Sequence, residues 1–220
     1  MGKKLLAVFD QDLKVGVRDP LMSEIAKAIL KECDDLNATE AASSSGKYHP
    51  IADLGKEGLV RHSRLVAQLA CIMARSIPAY DEDINHDIIF LSGLLHDLCK
   101  YQPVQEGEEG DIHTNFDHPR KMQELINKVS KEYIDGMPGE EESKILLRNS
   151  WARIAANIAT HMSRWNVNEK YAPGVVLDTP QSLEQYIIVF ADIISANSEL
   201  PGIMKQMEEE AVAYIVGRKK

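Results

Sequence analysis

The amino-acid sequence predicts an all-α fold, and three of its features support this prediction. Apolar residues recur at intervals of three and four over several long segments, which is the spacing of one helix face. Clusters of Gly, Pro and Ser separate these segments and are typical of loops. Runs with β-like character are scarce, because only Leu5–Phe9 and Val175–Leu177 qualify and both are short. With 220 residues, 44% of them hydrophobic, the chain can bury the core of a single globular unit.

The predicted elements follow one another as helices joined by loops. The helices are Leu21–Leu36, Gly58–Ile77, Ile84–Leu98, Pro119–Ile134, Ser143–Trp165, Leu183–Leu200 and Ile203–Val216. Breakers such as Pro78 and Pro201-Gly202 end them, and polar loops occupy 38–57, 101–116 and 168–180. We therefore divide the chain into an N-terminal segment (1–57) that packs on the core, a central domain (58–200) and a C-terminal helix (201–220).

Composition excludes several classes of function. The net charge of −9 disfavours a general nucleic-acid surface, which requires a basic patch. No apolar run approaches the roughly 18 residues of a membrane span. The apolar run at the start is also shorter than the core of a signal peptide, about 7–15 residues. Cys33, Cys71 and Cys99 are odd in number and widely spaced, so we interpret them as reduced thiols of a cytoplasmic protein.

Six side chains that could bind metal ions follow one another along the chain in the order His, His-Asp, His, His, Asp. They are His62, His96, Asp97, His118, His161 and Asp192. The set contains imidazoles and carboxylates and no thiolate. That mixture suits iron(II), manganese or magnesium better than it suits a thiolate-rich zinc site.

Helical periodicity places these side chains on inward faces. At about 100° per residue, His62 shares an apolar face with Val66, and His161 and Asp192 lie on similar faces. Taken alone, His62 is better explained as a core histidine with one hydrogen bond. Lone charges are almost never buried, however, so three such residues on three helices favour convergence on a metal. His118 precedes a proline at the beginning of a helix, where a capping or solvated role is the alternative.

Two His-Asp pairs compete for the central role. His86-Asp87 lies in the acidic run "DEDINHD", and we interpret its acid as solvated in the first turn of a helix, where the helix dipole favours it. His96-Asp97 instead follows the apolar stretch Ile88–Leu95. An unpaired acid there would be costly, so a partner is expected and His96-Asp97 is the preferred pair.

The order of the six residues resembles that of the HD-domain superfamily of metal-dependent phosphohydrolases. Its basic pattern is H…HD…D, and its two-metal subset adds two histidines before the last aspartate. "SGLLHDLCKY" is similar to the family's LLHDxGK, with Lys100 in the lysine position and Cys99 where glycine is usual. "DHPRKMQELI", "IAANIATHMSRW" and "IVFADIISA" are similar to the segments that carry the remaining ligands. The resemblance covers roughly Gly58 to Leu200.

The resemblance implies a helical bundle with a metal site at its centre and two divalent ions. Iron or manganese is expected first, and magnesium, cobalt, nickel or zinc would also be compatible. Asp97 would bridge the ions. The residues completing one site would be His62, His96 and Asp192, and those completing the other would be His118 and His161.

The implied reaction is hydrolysis of a phosphoester by a metal-activated water, without a covalent nucleophile. The substrate would be a phosphorylated small molecule, and the family resemblance favours a nucleotide. Asp97 and Lys100 are the catalytic candidates, with the Lys100 ammonium beside the phosphate. The alternative for Lys100 is a solvated lysine that closes a helix.

Five further residues are candidates for substrate contact. His49 lies in the 38–57 loop, where residues 43–46 also offer backbone N–H groups to phosphate oxygens. The arginines that flank ligands are Arg61, Arg64, Arg120 and Arg164. The arginine fork suits phosphate, although a residue of this kind taken alone is more often a surface charge.

Two other functions remain open from the sequence. HD proteins with the same six ligands include mixed-valent diiron oxygenases that cleave C–C or C–P bonds. HD-like signalling or binding modules form another class, but these lose ligands that this chain keeps. The sequence gives no indication of the oligomeric state.

Overall fold

In the computed structural model, residues 4–43, 49–77, 84–103, 112–170 and 172–196 are described. This part contains seven α-helices: α1 Leu5–Gly16, α2 Pro20–Glu32, α3 Gly58–Arg75, α4 His86–Leu95, α5 His118–Gly136, α6 Glu141–Ala159 and α7 Leu183–Ser195. Short 3₁₀ helices cover Asp35–Ala38, Ile51–Asp53 and Ser163–Trp165. Two small antiparallel hairpins pair β1 Tyr101–Pro103 with β2 Ile112–Thr114, and β3 Val167–Asn168 with β4 Ala172–Val176. The all-α prediction is confirmed.

One of the differences from the predicted elements has a clear cause. The β-like interpretation of Leu5–Phe9 is wrong, because this segment forms the first half of α1. Leu5, Phe9 and Leu13 follow one another at four-residue spacing and are fully buried on one helix face. The predicted 101–116 loop contains the β1–β2 hairpin, and the second β-like run overlaps β4. The predicted last helix, Ile203–Val216, lies outside the described residues.

Local sequence explains where several helices begin. The Asp19 side chain accepts a hydrogen bond from the Leu21 backbone N–H (2.8 Å), and Pro20 occupies the first position of α2. Asn85 caps α4 in the same way. Ser182 and Gln185 form a capping box at the start of α7.

Helix α4 lies at the centre of the bundle and packs against α3, α6 and α7. It is apolar on all sides, as expected for a fully buried helix. A side chain at Gly93 would place its Cβ 2.7 Å from the Cα of Ala67, so α3 and α4 approach very closely. This contact brings the end of α4 beside the middle of α3. None of the helices in the described ranges is both long and apolar enough to cross a bilayer.

The interpretation of Asp87 as a solvated residue is wrong. Asp87 lies in the first turn of α4, as predicted, but it is only 5% exposed. Its carboxylate accepts hydrogen bonds from the backbone N–H groups of Arg18 (3.1 Å) and Asp19 (2.8 Å). His86 Nε2 lies 3.1 Å from the Gly16 carbonyl. The pair therefore fastens α4 to the turn between α1 and α2.

Candidate metal centre

Five segments of the bundle bring the six predicted ligands together. His62 lies in α3, and His96 ends α4, with Asp97 in the turn that follows. The remaining three are His118 at the first residue of α5, His161 just beyond α6, and Asp192 in α7. Five of the six are buried, and the Asp192 side chain is 18% exposed. Residues separated by 130 positions thus meet in one place.

Hydrogen bonds donated by Nδ1 fix the orientation of all four imidazoles. Nδ1 of His96, His118 and His161 each lies 2.8 Å from the backbone carbonyl three residues earlier. Since a carbonyl can only accept, each Nδ1 carries the proton. His62 Nδ1 donates to Ser195 Oγ (3.1 Å), whose hydroxyl itself donates to the Asp192 carbonyl (2.8 Å). In a neutral ring, Nε2 is therefore left with its lone pair, which is the arrangement of metal-ligating histidines.

Two of these Nε2 atoms are buried without a partner. His62 Nε2 lies 3.0 Å from Asp192 Oδ1, but the two are not aligned for a hydrogen bond. His96 Nε2 likewise has no hydrogen-bond partner among the described residues. An unsatisfied buried polar atom costs about 1–3 kcal/mol, and a cation bound to the lone pairs removes that cost. The donor set consequently fits divalent metal ions.

The two carboxylate oxygens of Asp97 face different histidines. Oδ1 lies 2.9 Å from His118 Nε2 and 3.4 Å from His161 Nε2. Oδ2 lies 3.7 Å from His96 Nε2 and 4.0 Å from His62 Nε2. Asp192 Oδ1 lies on the same side as Asp97 Oδ2, 3.8 Å from His96 Nε2. The arrangement has two halves that share one carboxylate.

The pKa shifts place most of these groups in the protonation states that metal binding requires. Burial alone would raise the pKa of Asp97, but the Lys100 ammonium and the imidazoles of His96 and His118 outweigh it and hold the pKa well below its usual range. The pKa of Asp192 is likewise lowered, because neighbouring imidazoles outweigh its burial.

The pKa of each histidine depends on whether neighbouring carboxylates, which raise it, outweigh burial, which lowers it. Burial lowers the pKa of His96 to about 3 and also lowers that of His118. At His161, burial acts in the same direction, but contact with the Asp97 carboxylate outweighs it and raises the pKa. Anionic carboxylates beside neutral imidazoles are the species that coordinate a divalent ion.

A cavity of about 590 Å³ opens onto these ligands. Its lining includes His62, Asp97, His161 and Asp192, together with Lys100. The Lys100 ammonium lies 2.7 Å from Asp97 Oδ2. A small molecule that enters the cavity therefore meets both the ligand set and a fixed cation.

The sequence model of the HD domain matches residues 59–197, which is more than half of the chain. The chain belongs to the HD-domain family. The matched range includes all six of the predicted metal ligands. No curated protein and no solved structure matches this chain significantly.

Two of the five predicted substrate contacts line the cavity of the HD site. Arg164 is one of them. The other is His49, whose ring centroid lies 4.6 Å from that of His62. Burial and the neighbouring His62 lower the pKa of His49 to about 4, so its ring is neutral near pH 7. Of the 43–46 segment, residues 44–46 lie outside the described residues.

The other three arginines point elsewhere and are not among the described residues that line the cavity. The Arg61 guanidinium donates hydrogen bonds to the backbone carbonyls of Ala52 and Lys56 in the preceding loop. Arg64 pairs with the Asp12 carboxylate on α1, at 2.8 Å. Arg120 donates to the Val176 carbonyl of β4, also at 2.8 Å. These three arginines therefore connect segments of the fold to one another.

Sequence reasoning missed two residues that position ligands. Ser195 holds the His62 ring through a hydrogen bond. Its position three residues after Asp192, on the same helix face, is the sequence feature that could have indicated this role. Asn115 is buried, provides the carbonyl that fixes His118, and donates its own N–H to the Lys100 carbonyl (2.8 Å). Nothing in the local sequence distinguishes Asn115 from other loop residues.

Proposed function

We propose that this HD-domain protein is a metal-dependent phosphohydrolase that cleaves a phosphoester, with a nucleotide as substrate. The observation that carries the proposal is the position of Asp97. It offers one oxygen to His118 and His161 and the other to the His62–His96 side. A carboxylate in that position is suited to bridging two ions.

The residues that would hold the first ion are His62, His96, Asp97 and Asp192. Those that would hold the second are Asp97, His118 and His161. Iron or manganese suits this donor set best, and magnesium, cobalt, nickel or zinc is compatible. Divalent ions supply Lewis-acid stabilisation of phosphoryl charge and lower the pKa of a water molecule to about 7 in strong cases.

Local charge explains how a chain of net charge −9 would hold an anionic substrate. Two divalent ions and two carboxylates give a formal local charge of 4 − 2 = +2. Lys100 adds a further positive charge at the cavity wall. Because the field near a site depends on nearby charges, this region attracts phosphate despite the acidic surface.

The protein's own groups would orient the substrate. Lys100, held by Asp97, would contact a phosphoryl oxygen and stabilise the negative charge that develops there. Arg164 and His49 line the same cavity and would contact the rest of the phosphate or the sugar. The buried Nδ1–carbonyl contacts hold the histidines rigidly, so the site needs little rearrangement when substrate binds.

An anaerobic assay tests this proposal. Protein purified without oxygen, then supplied with manganese, cobalt or iron(II), should release phosphate or a nucleotide product from one or more nucleotides. Oxygen uptake coupled to turnover of a small organic substrate, without phosphoester cleavage, would identify an oxygenase instead. Absence of both activities in metal-loaded protein would point to a binding module.

A pair of Asp→Asn variants makes the assay specific to this site. Asp97→Asn removes the bridging charge and should abolish phosphate release. Asp10→Asn is the matched control, because Asp10 lies on the exposed side of α1 and pairs only with Lys14 among the described residues. Phosphate release that persists unchanged in Asp97→Asn would show that this site is not the source of the activity.

A further inference from the structure

The cavity of the metal centre is lined by two chemically different sets of residues. The first is polar and includes four of the predicted ligands together with Lys100, His49 and Arg164. The second is apolar and includes Phe116, Met162, Trp165, Val167 and Ile193. Trp165 is 40% exposed and Val167 is 45% exposed, although both are large hydrophobic residues. Metal ligands and phosphate contacts give no reason for this apolar wall.

The position of Trp165 is fixed by an unusual backbone. Ser163 has φ of 45°, in the left-handed region that non-glycine residues rarely adopt. The segment is held by hydrogen bonds from Ser163 N–H to the Thr160 carbonyl (3.0 Å) and from Leu177 N–H to the Asn166 carbonyl (2.9 Å). Such conformations persist where the surroundings enforce them, and they cluster at ligand-binding sites.

The side chain of Trp165 is also held in place. The Arg164 guanidinium carbon lies over the indole ring, 4.3 Å from its centroid. This cation–π contact covers one ring face and limits rotation of the indole. Arg164 lines the cavity as well, so a cation and a flat aromatic surface stand side by side at the site.

We propose that Trp165 recognises the organic part of the substrate by stacking against a nucleobase. This inference rests on the proposed function for the phosphate end of the molecule. A rigid, partly exposed indole backed by a guanidinium suits a planar π system better than an aliphatic group. The neighbouring side chains of Met162, Val167 and Ile193 would cover the edges of the base and exclude water.

Stacking also has a consequence for selectivity. Every nucleobase has a π face, and stacking therefore tolerates differences among bases. The wild-type protein should bind purine and pyrimidine nucleotides with comparable affinity, and it should bind ribose 5-phosphate much more weakly. If the protein recognises the face of the base, it should accept nucleotides as a class and should not prefer one particular base.

Tryptophan fluorescence gives a binding measurement that does not depend on catalysis. The chain has two tryptophans, and Trp151 is 1% exposed in the core. Quenching by a ligand in the cavity therefore reports on Trp165. Titration of metal-free protein with AMP and with adenosine should quench this emission saturably, whereas ribose 5-phosphate should not.

Three variants test whether the ring itself is responsible. Trp165→Leu should weaken AMP binding, measured by calorimetry, by roughly 10- to 100-fold. Trp165→Phe keeps an aromatic ring and should recover most of the affinity. Phe190→Leu is the matched control, because Phe190 is 48% exposed on α7, stacks with Tyr186 and is not among the described residues that line the cavity.

Kinetics then separates this inference from the proposed function. In an active enzyme, Trp165→Leu should raise KM for nucleotides by the same roughly 10- to 100-fold and leave the hydrolysis of ribose 5-phosphate unchanged. Equal AMP affinity in wild type and Trp165→Leu, or an equal loss for ribose 5-phosphate, would overturn the stacking role. Saturable quenching without phosphate release would contradict the phosphohydrolase proposal and leave base binding supported.

Discussion

The dipeptide His-Asp occurs at both ends of α4, and its two copies lie in opposite chemical settings. At the start of the helix, the Asp87 carboxylate is buried and accepts hydrogen bonds from two backbone N–H groups. At the end, Asp97 is equally buried but faces imidazole nitrogens that carry lone pairs. Backbone donors complete the first pair, whereas in the second Lys100 pairs with the carboxylate and the buried His96 Nε2 is left without a partner among the described residues. The surroundings of the dipeptide decide its role.

The largest effect should come from Asp97→Asn, which keeps the size of the side chain and removes its charge. With two divalent ions bound, the formal local charge would rise from +2 to +3, and an amide bridges metal ions poorly. Metal content should fall in both halves of the site, and turnover should drop by at least ~100-fold. Metal analysis of the purified variant and its nucleotide hydrolysis rate measure both quantities. Full metal occupancy would show that Asp97 does not connect the two halves.

Ser195→Ala should have the next largest effect. It removes the hydroxyl that accepts from His62 Nδ1, so the ring loses its fixed tautomer and orientation. Loss of such a partner typically weakens metal affinity by about 10- to 100-fold. Metal titration of the apoprotein measures the change.

Ser92→Ala is the control for that experiment. Ser92 is also fully buried in the bundle, but its hydroxyl accepts from Asn157 and not from a ligand (3.1 Å). It should alter stability and leave metal affinity unchanged. Equal weakening by both substitutions would mean that the Ser195 effect is a general loss of packing.

Asp87→Asn should separate the two His-Asp pairs most clearly. The amide keeps one acceptor oxygen but loses the charge that strengthens the bonds from Arg18 and Asp19. We expect the free energy of unfolding to fall by about 1.5–3 kcal/mol, the range for hydrogen bonds to charged groups, with metal content unchanged. Denaturant unfolding and metal analysis of the same sample check both. A loss of metal without a loss of stability would reverse the roles assigned to the two pairs.

Arg64→Gln should have the smallest effect. Arg64 ties α3 to α1 through a partly exposed ion pair with Asp12. Pairs of this kind contribute about 0.2–1 kcal/mol. Stability should fall within that range, and KM and kcat for the nucleotide should stay at wild-type values. A raised KM would return Arg64 to the list of phosphate contacts.

The six residues that the bundle brings together could be predicted from sequence because their motifs and helical spacing can be read along the chain. His62 and Asp192 sit on apolar helix faces and His161 directly follows one, and this pattern needs no knowledge of the fold. The role of Asp87 could not be predicted, since its partners Arg18 and Asp19 are 69 and 68 residues away in the chain.

The remaining errors have simple geometric causes. The β-like run at Leu5–Phe9 was too short to reveal its period, because an apolar run of this length fits a buried strand or a helix. Arg64 follows His62 by two residues and therefore points about 200° away from it on a helix. Arg164 differs because it lies beyond α6, where the turn at Ser163 redirects the chain to the cavity.

Anomalous scattering from crystals of the manganese- or iron-loaded protein tests the central claim most directly. The account predicts two ions per chain, with one oxygen of Asp97 on each. His62, His96 and Asp192 should contact one ion, and His118 and His161 the other. A single ion, with His118 and His161 outside coordination distance, would contradict the shared-carboxylate arrangement on which the proposed function depends.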